Sequence, residues 1–294
     1  MSSDRSEGTG RDGDRGSLRV AVLGAGRLGR AILAGLAGAA AEAGPELAAS
    51  TRRLCDLGPG VRVVSLEEDR AANRRLAAWA DVTVLGVRPL QTMPLVSEIS
   101  RELRPGGVVV ALAIGIRTSN LESALPLAVD VVRANPNLAV EVGRGVIGLS
   151  RGARASEAGV ARVRSLLERL GAVIDVPDER LDVLGMVSGS GPAYVYFLIE
   201  EFTAAARHLG FDDATASSLV REAFHGSLAL LDTPGRTPSA LLAEIASPGS
   251  ATERAIAVLE QGAIAERAER AIQAAIARAV ELRDIITSDL QAEA

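Results

Sequence analysis

Three features of the chain predict an α/β protein: a mainly parallel sheet domain followed by an all-helical one. Short apolar runs alternate with helical stretches up to about residue 178. From about 179 onward no strand candidate remains and helices follow one another. A glycine triplet, Gly24, Gly26 and Gly29, closes the first apolar run and opens the first helical stretch. Such alternation lays strands side by side in parallel with helices over them. The triplet in that position marks the first domain as Rossmann-type. The expected division is a disordered tail over 1–16, a dinucleotide-binding domain over 17–178 and a helical domain over 179–294.

The tail is polar and Gly/Ser-rich, with no apolar stretch of the kind a signal peptide carries. "LRVAVLG" (18–24) is a buried strand ending in glycine, and "RLGRAILAGLAGAAAEAG" (27–44) is a helix closed by glycine. Further strands are expected at 46–50, 61–64, 81–87, 106–113, 128–134 and 145–150. A last one, at 172–177, follows a helix over about 154–170. In the second half, apolar residues recur at three- and four-residue spacing. That spacing predicts helices over about 190–209, 212–232, 237–245, 250–260 and 263–287.

Composition narrows the chemistry. The chain has 294 residues, 48% of them hydrophobic, and a net charge of −5, which argues against a nucleic-acid partner. No uninterrupted apolar run reaches membrane-spanning length. All 32 basic residues are arginine, so no mechanism that needs a catalytic lysine is open. One cysteine, Cys55, excludes an intramolecular disulfide framework and fits a reducing, cytoplasmic setting. With only His208 and His225 besides, a metal site is not expected.

The cofactor site is expected at "GAGRLG", which supplies Gly24, Gly26, Arg27, Leu28 and Gly29. The first glycine permits the tight turn, the second lets backbone approach a pyrophosphate, and the third lets helix pack on strand. The pyrophosphate then lies over a helix N-terminus, where free N–H groups and the dipole favour anions. At the end of the second strand, NAD enzymes place an acid. Here stand Ala49, Ser50, Thr51, Arg52 and Arg53, donors and positive charge that suit a 2′-phosphate and so NADPH over NADH. The alternative is a solvated turn with surface arginines.

Several stretches together resemble the pyrroline-5-carboxylate reductase family. "DVTVLGVRP" (81–89) is similar to a family strand ending in Val-Lys-Pro, with Arg88 in place of lysine between Val87 and Pro89. Asn73 matches a family asparagine near the cofactor, and "ALAIGI" (111–116), with Ala113 and Gly115, resembles the turn beside the nicotinamide. "VVRANPNLAVEVGRG" (131–145) is similar to the family's Arg-x-Met-Pro-Asn-Thr-Pro segment and contributes Asn137. It departs from that segment at Asn135, Leu138 and Ala139. "VSGSGPAYVYFLIE" (187–200) and "SPGSAT" (247–252) resemble the family's most recognisable motif and its substrate loop, with Ser250 replacing a glycine. The matches run in family order from about 18 to 287. The resemblance implies an NADPH-dependent reduction of 1-pyrroline-5-carboxylate to L-proline, the last step of proline biosynthesis. It also implies a helical half that builds a homodimer or higher homo-oligomer.

The loop at 247–252 has two readings. Ser250 and Glu253 spell a capping box, which starts a helix and needs no substrate. The same helix start attracts a carboxylate, so Ser247, Gly249, Ser250, Ala251 and Thr252 are expected to hold the substrate. The resemblance gives Thr252 a hydrogen bond to the ring nitrogen, which makes it the catalytic candidate. "SGSGPAY" likewise reads as a helix start at a dimer seam as readily as a substrate contact, because Pro192 suits a first helical turn. Hydride addition to a cyclic iminium needs alignment and exclusion of water, with a strong general acid optional. Carbonyl reduction needs such an acid, and the related β-hydroxyacid dehydrogenases depend on a lysine this chain lacks. Two alternatives stay open: a paralogue reducing another cyclic imine, and a non-catalytic NADP-binding paralogue.

Overall fold

The computed structural model describes residues 17–38 and 44–292. The expected tail at 1–16 lies outside them, as do residues 39–43 of the helix expected over 27–44. All eight expected strands form: β1 (Arg19–Leu23), β2 (Glu46–Thr51), β3 (Val61–Ser65), β4 (Val82–Leu85), β5 (Val108–Ala111), β6 (Asp130–Pro136), β7 (Gly145–Arg151) and β8 (Gly171–Asp175). They make one sheet in the order β3-β2-β1-β4-β5-β6-β7-β8. Strands β1 to β6 run parallel, β7 is antiparallel to β6, and β8 is parallel to β7. The reversal has a local cause. Between β6 and β7 the chain carries only one 3₁₀ turn, Leu138–Val142, too little for the crossover that a parallel pair requires.

Both faces of the sheet are covered. Val20 and Val22 of β1 point to a core shared with α1 (Arg27–Gly38) and α5 (Glu157–Glu168). Ala21 and Leu23 point to the opposite core, under α2 (Ala72–Trp79), α3 (Pro89–Ile99) and α4 (Thr118–Ala124). This is the period-two alternation of a strand buried on both sides, which is why the central strands read as unbroken apolar runs. Each fully buried Val or Leu stabilises the fold by about 1.5–3 kcal/mol relative to exposure. At the N-terminal edge, Arg19 holds β1 to the start of β4. Its guanidinium donates to both carboxylate oxygens of Asp81, at 2.8 and 3.1 Å.

The helices of the second half are α6 (Asp178–Leu184), α7 (Gly191–His208), α8 (Asp213–Leu231), α9 (Pro238–Ile245), α10 (Ala251–Gln261) and α11 (Ile264–Ala292), with a π turn, Gly185–Gly189, between α6 and α7. Helix α6 lies on the sheet, with Leu181 1% exposed and Gly148 of β7 leaving room for Leu181 and Leu184. The helices that leave the sheet begin at Gly191. Side-chain caps start α8, α9 and α10 at Asp212, Thr237 and Ser250. Among the residues of α7 to α11 with described side chains, only Thr203, Ala216, Leu241 and Ala279 are buried.

One buried arginine holds α6 to the sheet. Arg133 of β6 is 1% exposed and donates to Asp178 Oδ1 and Asp182 Oδ1, each at 2.7 Å, and to the carbonyl of Ala113 at 3.2 Å. The other oxygens of the same carboxylates accept from Thr118 N (3.2 Å) and Gly115 N (3.3 Å). Arg133 thereby ties β6, the loop after β5 and α6 into one knot. Replacing Asp182 with Ala removes one of the two counter-charges of a buried guanidinium, and breaking a buried pair costs about 3–5 kcal/mol. We expect a fall at the low end of that range, because Asp178 remains, seen as a lower denaturant midpoint at unchanged slope. The Arg19 pair adds a pH term. Hydrogen bonding from Arg19 holds the Asp81 carboxyl below its ordinary value. Its stabilisation is therefore present above the unfolded value of about 4 and is lost as pH falls through the lower folded value. Asp81→Asn should flatten the acid limb of a stability–pH profile and leave neutral-pH stability only slightly reduced.

Candidate functional site

Strand order turns back at β1, whose neighbours are β2 and β4. Parallel sheets bind ligands in the crevice at the carboxyl ends of the strands beside such a point. A cleft of about 720 Å³ lies there. Its lining includes Gly24 and Gly26 after β1, Arg52 and Arg53 after β2, and Val87 and Arg88 after β4.

The three glycines of the first turn do three different things. Gly24 has φ +74°, and a Cβ on it would lie 2.3 Å from Val87 Cγ1. Gly29 is buried, and a Cβ there would press on Val22 Cγ1 at 3.0 Å, so it sets the approach of α1 to β1. Gly26 faces open space, with no atom nearer than 3.8 Å to a Cβ built on it. Backbone over Gly26 is thus bare toward the cleft, and the first turn of α1, with Arg27 and Leu28, presents N–H groups that no helical carbonyl accepts. Four arginines line the cleft, Arg30, Arg52, Arg53 and Arg88, and no acidic residue does. Bare backbone, a helix start and several guanidinium groups are what the phosphates of a dinucleotide require.

The remaining cofactor candidates are placed unequally. Ser50 does not face the cleft. It is fully buried, and its hydroxyl accepts from Gly24 N at 2.9 Å, so it holds the glycine turn. Asn137 is also fully engaged. Its Oδ1 accepts from Ala139 N and Val146 N, and its Nδ2 donates to Ser188 O in the π turn. Ala113 and Gly115 lie on the loop after β5 that Arg133 and Asp182 secure. Pro89 is in the first turn of α3. Asn73 is buried on α2, donating to Glu98 Oε2 at 3.3 Å, while its Oδ1 has no protein partner. Asn135, a departure from the resembling segment, sits beneath the π turn and away from the cleft. A Cβ at Gly185 would meet its Nδ2 at 2.0 Å.

Several cleft residues were not among the sequence candidates, Arg30 and Cys55 among them. Arg30 lies one helical turn beyond Gly26, a spacing of four that puts both on one face of α1. Cys55 follows the arginine pair in the loop after β2. The spacing of Arg30 was a usable signal, whereas the path of the 52–55 loop was not.

The loop at 247–252 is elsewhere. None of its residues lines the cleft, and α10 buries no residue and packs chiefly on α11. Ser250 caps α10 by accepting from Glu253 N at 3.1 Å, as the capping box requires. The reciprocal bond goes one residue further back, since Glu253 Oε2 accepts from Gly249 N at 2.7 Å. Gly249 N is therefore taken by the protein itself. The N–H groups of Ala251 and Thr252, in the first turn, have no helical acceptor. The glycine assignments separate in a binding experiment. Gly26→Ala should leave the melting temperature nearly unchanged but weaken dinucleotide binding at least about tenfold, because its methyl enters the space over the turn. Gly24→Ala should lower both, through positive φ and the Val87 overlap. Equal effects of the two on stability would overturn the distinction.

The model of the pyrroline-5-carboxylate reductase dimerisation family matches residues 178–282. The pyrroline-5-carboxylate reductase of Corynebacterium melassecola is 32% identical over 266 residues, covering 90% of this chain and 98% of that protein. That of Pseudomonas aeruginosa is 31% identical, covering 90% and 97%. A pyrroline-5-carboxylate reductase structure from Coxiella burnetii superposes with a TM-score of 0.79 at 30% identity, over 91% of this chain and 99% of the other. A Plasmodium falciparum pyrroline carboxylate reductase with NADP bound shares the fold at TM-score 0.78 and 22% identity, covering 89% and 97%. With a glycine turn at the sheet's switch point, a helical half matching the dimerisation model and relatives similar over nine-tenths of its length, the chain belongs to the pyrroline-5-carboxylate reductase family.

Proposed function

We propose that the protein reduces 1-pyrroline-5-carboxylate to L-proline with NADPH, the last step of proline biosynthesis. The observation that carries this reading is the arginine-lined, acid-free cleft at the switch point of a chain from this family. An NAD site would place a carboxylate where Arg52 and Arg53 stand. NADH is then the weaker donor. The Plasmodium protein, of the same fold, holds NADP, which agrees with this choice.

When bound, the reduced nicotinamide supplies the hydride. The chain's own residues bind and align. Gly26 and the N–H groups of Arg27 and Leu28 take the pyrophosphate, with Gly24 making the turn, Gly29 seating α1 on β1 and Ser50 holding the turn beneath. Arg52 and Arg53 take the 2′-phosphate. Val87, Arg88 and Pro89 border the ribose on the nicotinamide side, and Ala113 and Gly115 wall the nicotinamide. Asn73 Oδ1, buried without a protein partner, accepts from a ribose hydroxyl. Asn137 supports this end of the site by holding the π turn.

On the substrate side, Ser247 and the N–H groups of Ala251 and Thr252 hold the carboxylate, on a turn shaped by Gly249 and capped by Ser250. The Thr252 hydroxyl meets the ring nitrogen and positions it or relays its proton. A substrate that arrives as an iminium needs no stronger acid, which suits a chain without lysine. Since residues 247–252 do not line the cleft of their own chain, we assign them to the cleft of a partner in a homodimer. Tyr196, Phe197 and Val258, each more than 60% exposed in one chain, are the kind of surface such a dimer covers. The net charge of −5 opposes a nucleic-acid partner. Among the described residues no helix is long and apolar enough to cross a membrane, and we place the reaction in the cytoplasm.

The test is purified protein mixed with NADPH and pyrroline-5-carboxylate, followed by loss of NADPH absorbance. Rapid oxidation supports the reading. Oxidation with other cyclic imines alone would reassign the substrate, and tight NADPH binding without turnover would make the protein a non-catalytic NADP binder. Thr252→Ala should lower turnover about 5- to 150-fold, the equivalent of one buried hydrogen bond left unpaired, with NADPH affinity nearly intact. Thr252→Ser should keep much of the activity. An unchanged rate in Thr252→Ala would leave the loop a plain helix cap.

A further inference from the structure

The adenosine end of the cleft holds a third arginine that neither the glycine turn nor the end of β2 accounts for. Arg30 projects from the second turn of α1, and its Nη2 lies 3.4 Å from Cys55 Sγ in the loop that carries Arg52 and Arg53. Its Nε donates to the carbonyl of Ala25 at 3.3 Å, which fixes the side chain across the mouth of the cleft. It thus reaches from α1 toward the loop that carries the arginine pair. Arg88, the fourth guanidinium, starts α3 after β4 and belongs to another part of the cleft.

The charges around this end are unequal. Arg52 and Arg53 converge on one carboxylate, Glu67 Oε1, at 3.6 and 3.2 Å. Among the described residues Arg30 has no carboxylate within ion-pair distance, and it donates only to the Cys55 sulfur and a carbonyl. Three guanidinium groups against one carboxylate leave two positive charges in excess. A phosphate monoester carries about −1.5 to −2 at neutral pH and three acceptor oxygens. Guanidinium forks reaching it from two walls satisfy those oxygens as one wall cannot.

We propose that Arg30 is a specificity residue for NADPH: it binds the 2′-phosphate from the α1 side and, with Arg52 and Arg53, forms a three-arginine clamp. This rests on the reading of the cleft as an NADPH site and names a ligand residue beyond it. Arg30 is exposed and lies outside both cores, so its replacement leaves the fold intact. The clamp also explains why a lone arginine stands unpaired beside a glycine turn, where a neutral residue would serve an NAD enzyme equally well.

The test uses the full chain and two probes that undergo no reduction, adenosine 2′,5′-bisphosphate and adenosine 5′-monophosphate, titrated by calorimetry. Arg30→Ala should weaken the bisphosphate about tenfold or more, the loss of one charge-assisted hydrogen bond, and change the monophosphate less than about twofold. Arg30→Lys should fall between Arg30→Ala and the unsubstituted protein, because it keeps the charge but loses the planar fork. The melting temperature of each variant confirms the fold. Unchanged bisphosphate affinity in Arg30→Ala, or equal loss for both probes, would overturn the clamp. Arg52→Ala with Arg53→Ala separates the two levels of the argument. If that double variant loses the bisphosphate while Arg30→Ala does not, only the clamp fails. If neither loses it, the reading of this end as a 2′-phosphate site fails as well.

Discussion

The buried guanidinium of Arg133 is the constraint on which the arrangement of this protein depends. A charged group taken out of water must be met by counter-charge and acceptors, or the fold does not form around it. Arg133 finds them on three separate pieces of chain: Asp178 and Asp182 on α6, and the Ala113 carbonyl on the loop after β5. Because the second oxygens of the aspartates accept from backbone N–H groups of that loop and of the start of α4, the knot leaves little freedom to any of the three. A hydrophobic side chain of equal volume could fill the space, but it would not specify the register of α6 against the loop. Helix α6 continues through the π turn into α7, so the direction in which the helical half departs from the sheet is set here.

Two kinds of surface follow from this frame, the second of which we propose as the substrate-binding one. At the switch point the protein offers backbone and fixed charge: a bare glycine turn held by Ser50, a helix start, and arginines on both walls. Such groups need no proton transfer and suit a ligand that is bound and released unchanged apart from its hydride. With lysine absent from the chain, every cation in the cleft is a planar fork, matched to phosphate oxygens in pairs. The loop at 247–252 instead offers a short helix start and a hydroxyl. There Glu253 reaches back to Gly249 N, which shapes the turn and leaves the Ala251 and Thr252 N–H groups as its outward donors.

The helical half explains why these two surfaces stay apart within one chain. Its helices touch the sheet mainly through α6 and the π turn, and beyond the π turn few of their described apolar side chains are buried. Aromatic residues on α7 at 63–65% exposure are costly in a solvated monomer and useful at a seam between copies. The match of this half to a dimerisation family agrees with that physical account.

Local chemistry made much of this legible in the residues alone. Apolar run length located all eight strands, three- and four-residue spacing located the long helices, and the Gly24, Gly26 and Gly29 triplet named the ligand class, because each of these depends on neighbours only a few residues away. Long-range geometry decided the rest. The sequence could not tell that Ser50 turns inward to hold Gly24 or that Asn135 and Asn137 brace the π turn, since those partners lie far along the chain. Nor could it tell that Arg133 would be buried or that α6, the first helix of the second half, would lie on the sheet. Arg30 lies between these cases. Its helical spacing from Gly26 is plain in the sequence, but its place opposite Arg52 and Arg53 exists only once β2 lies against β1 and brings the two walls of the cleft together.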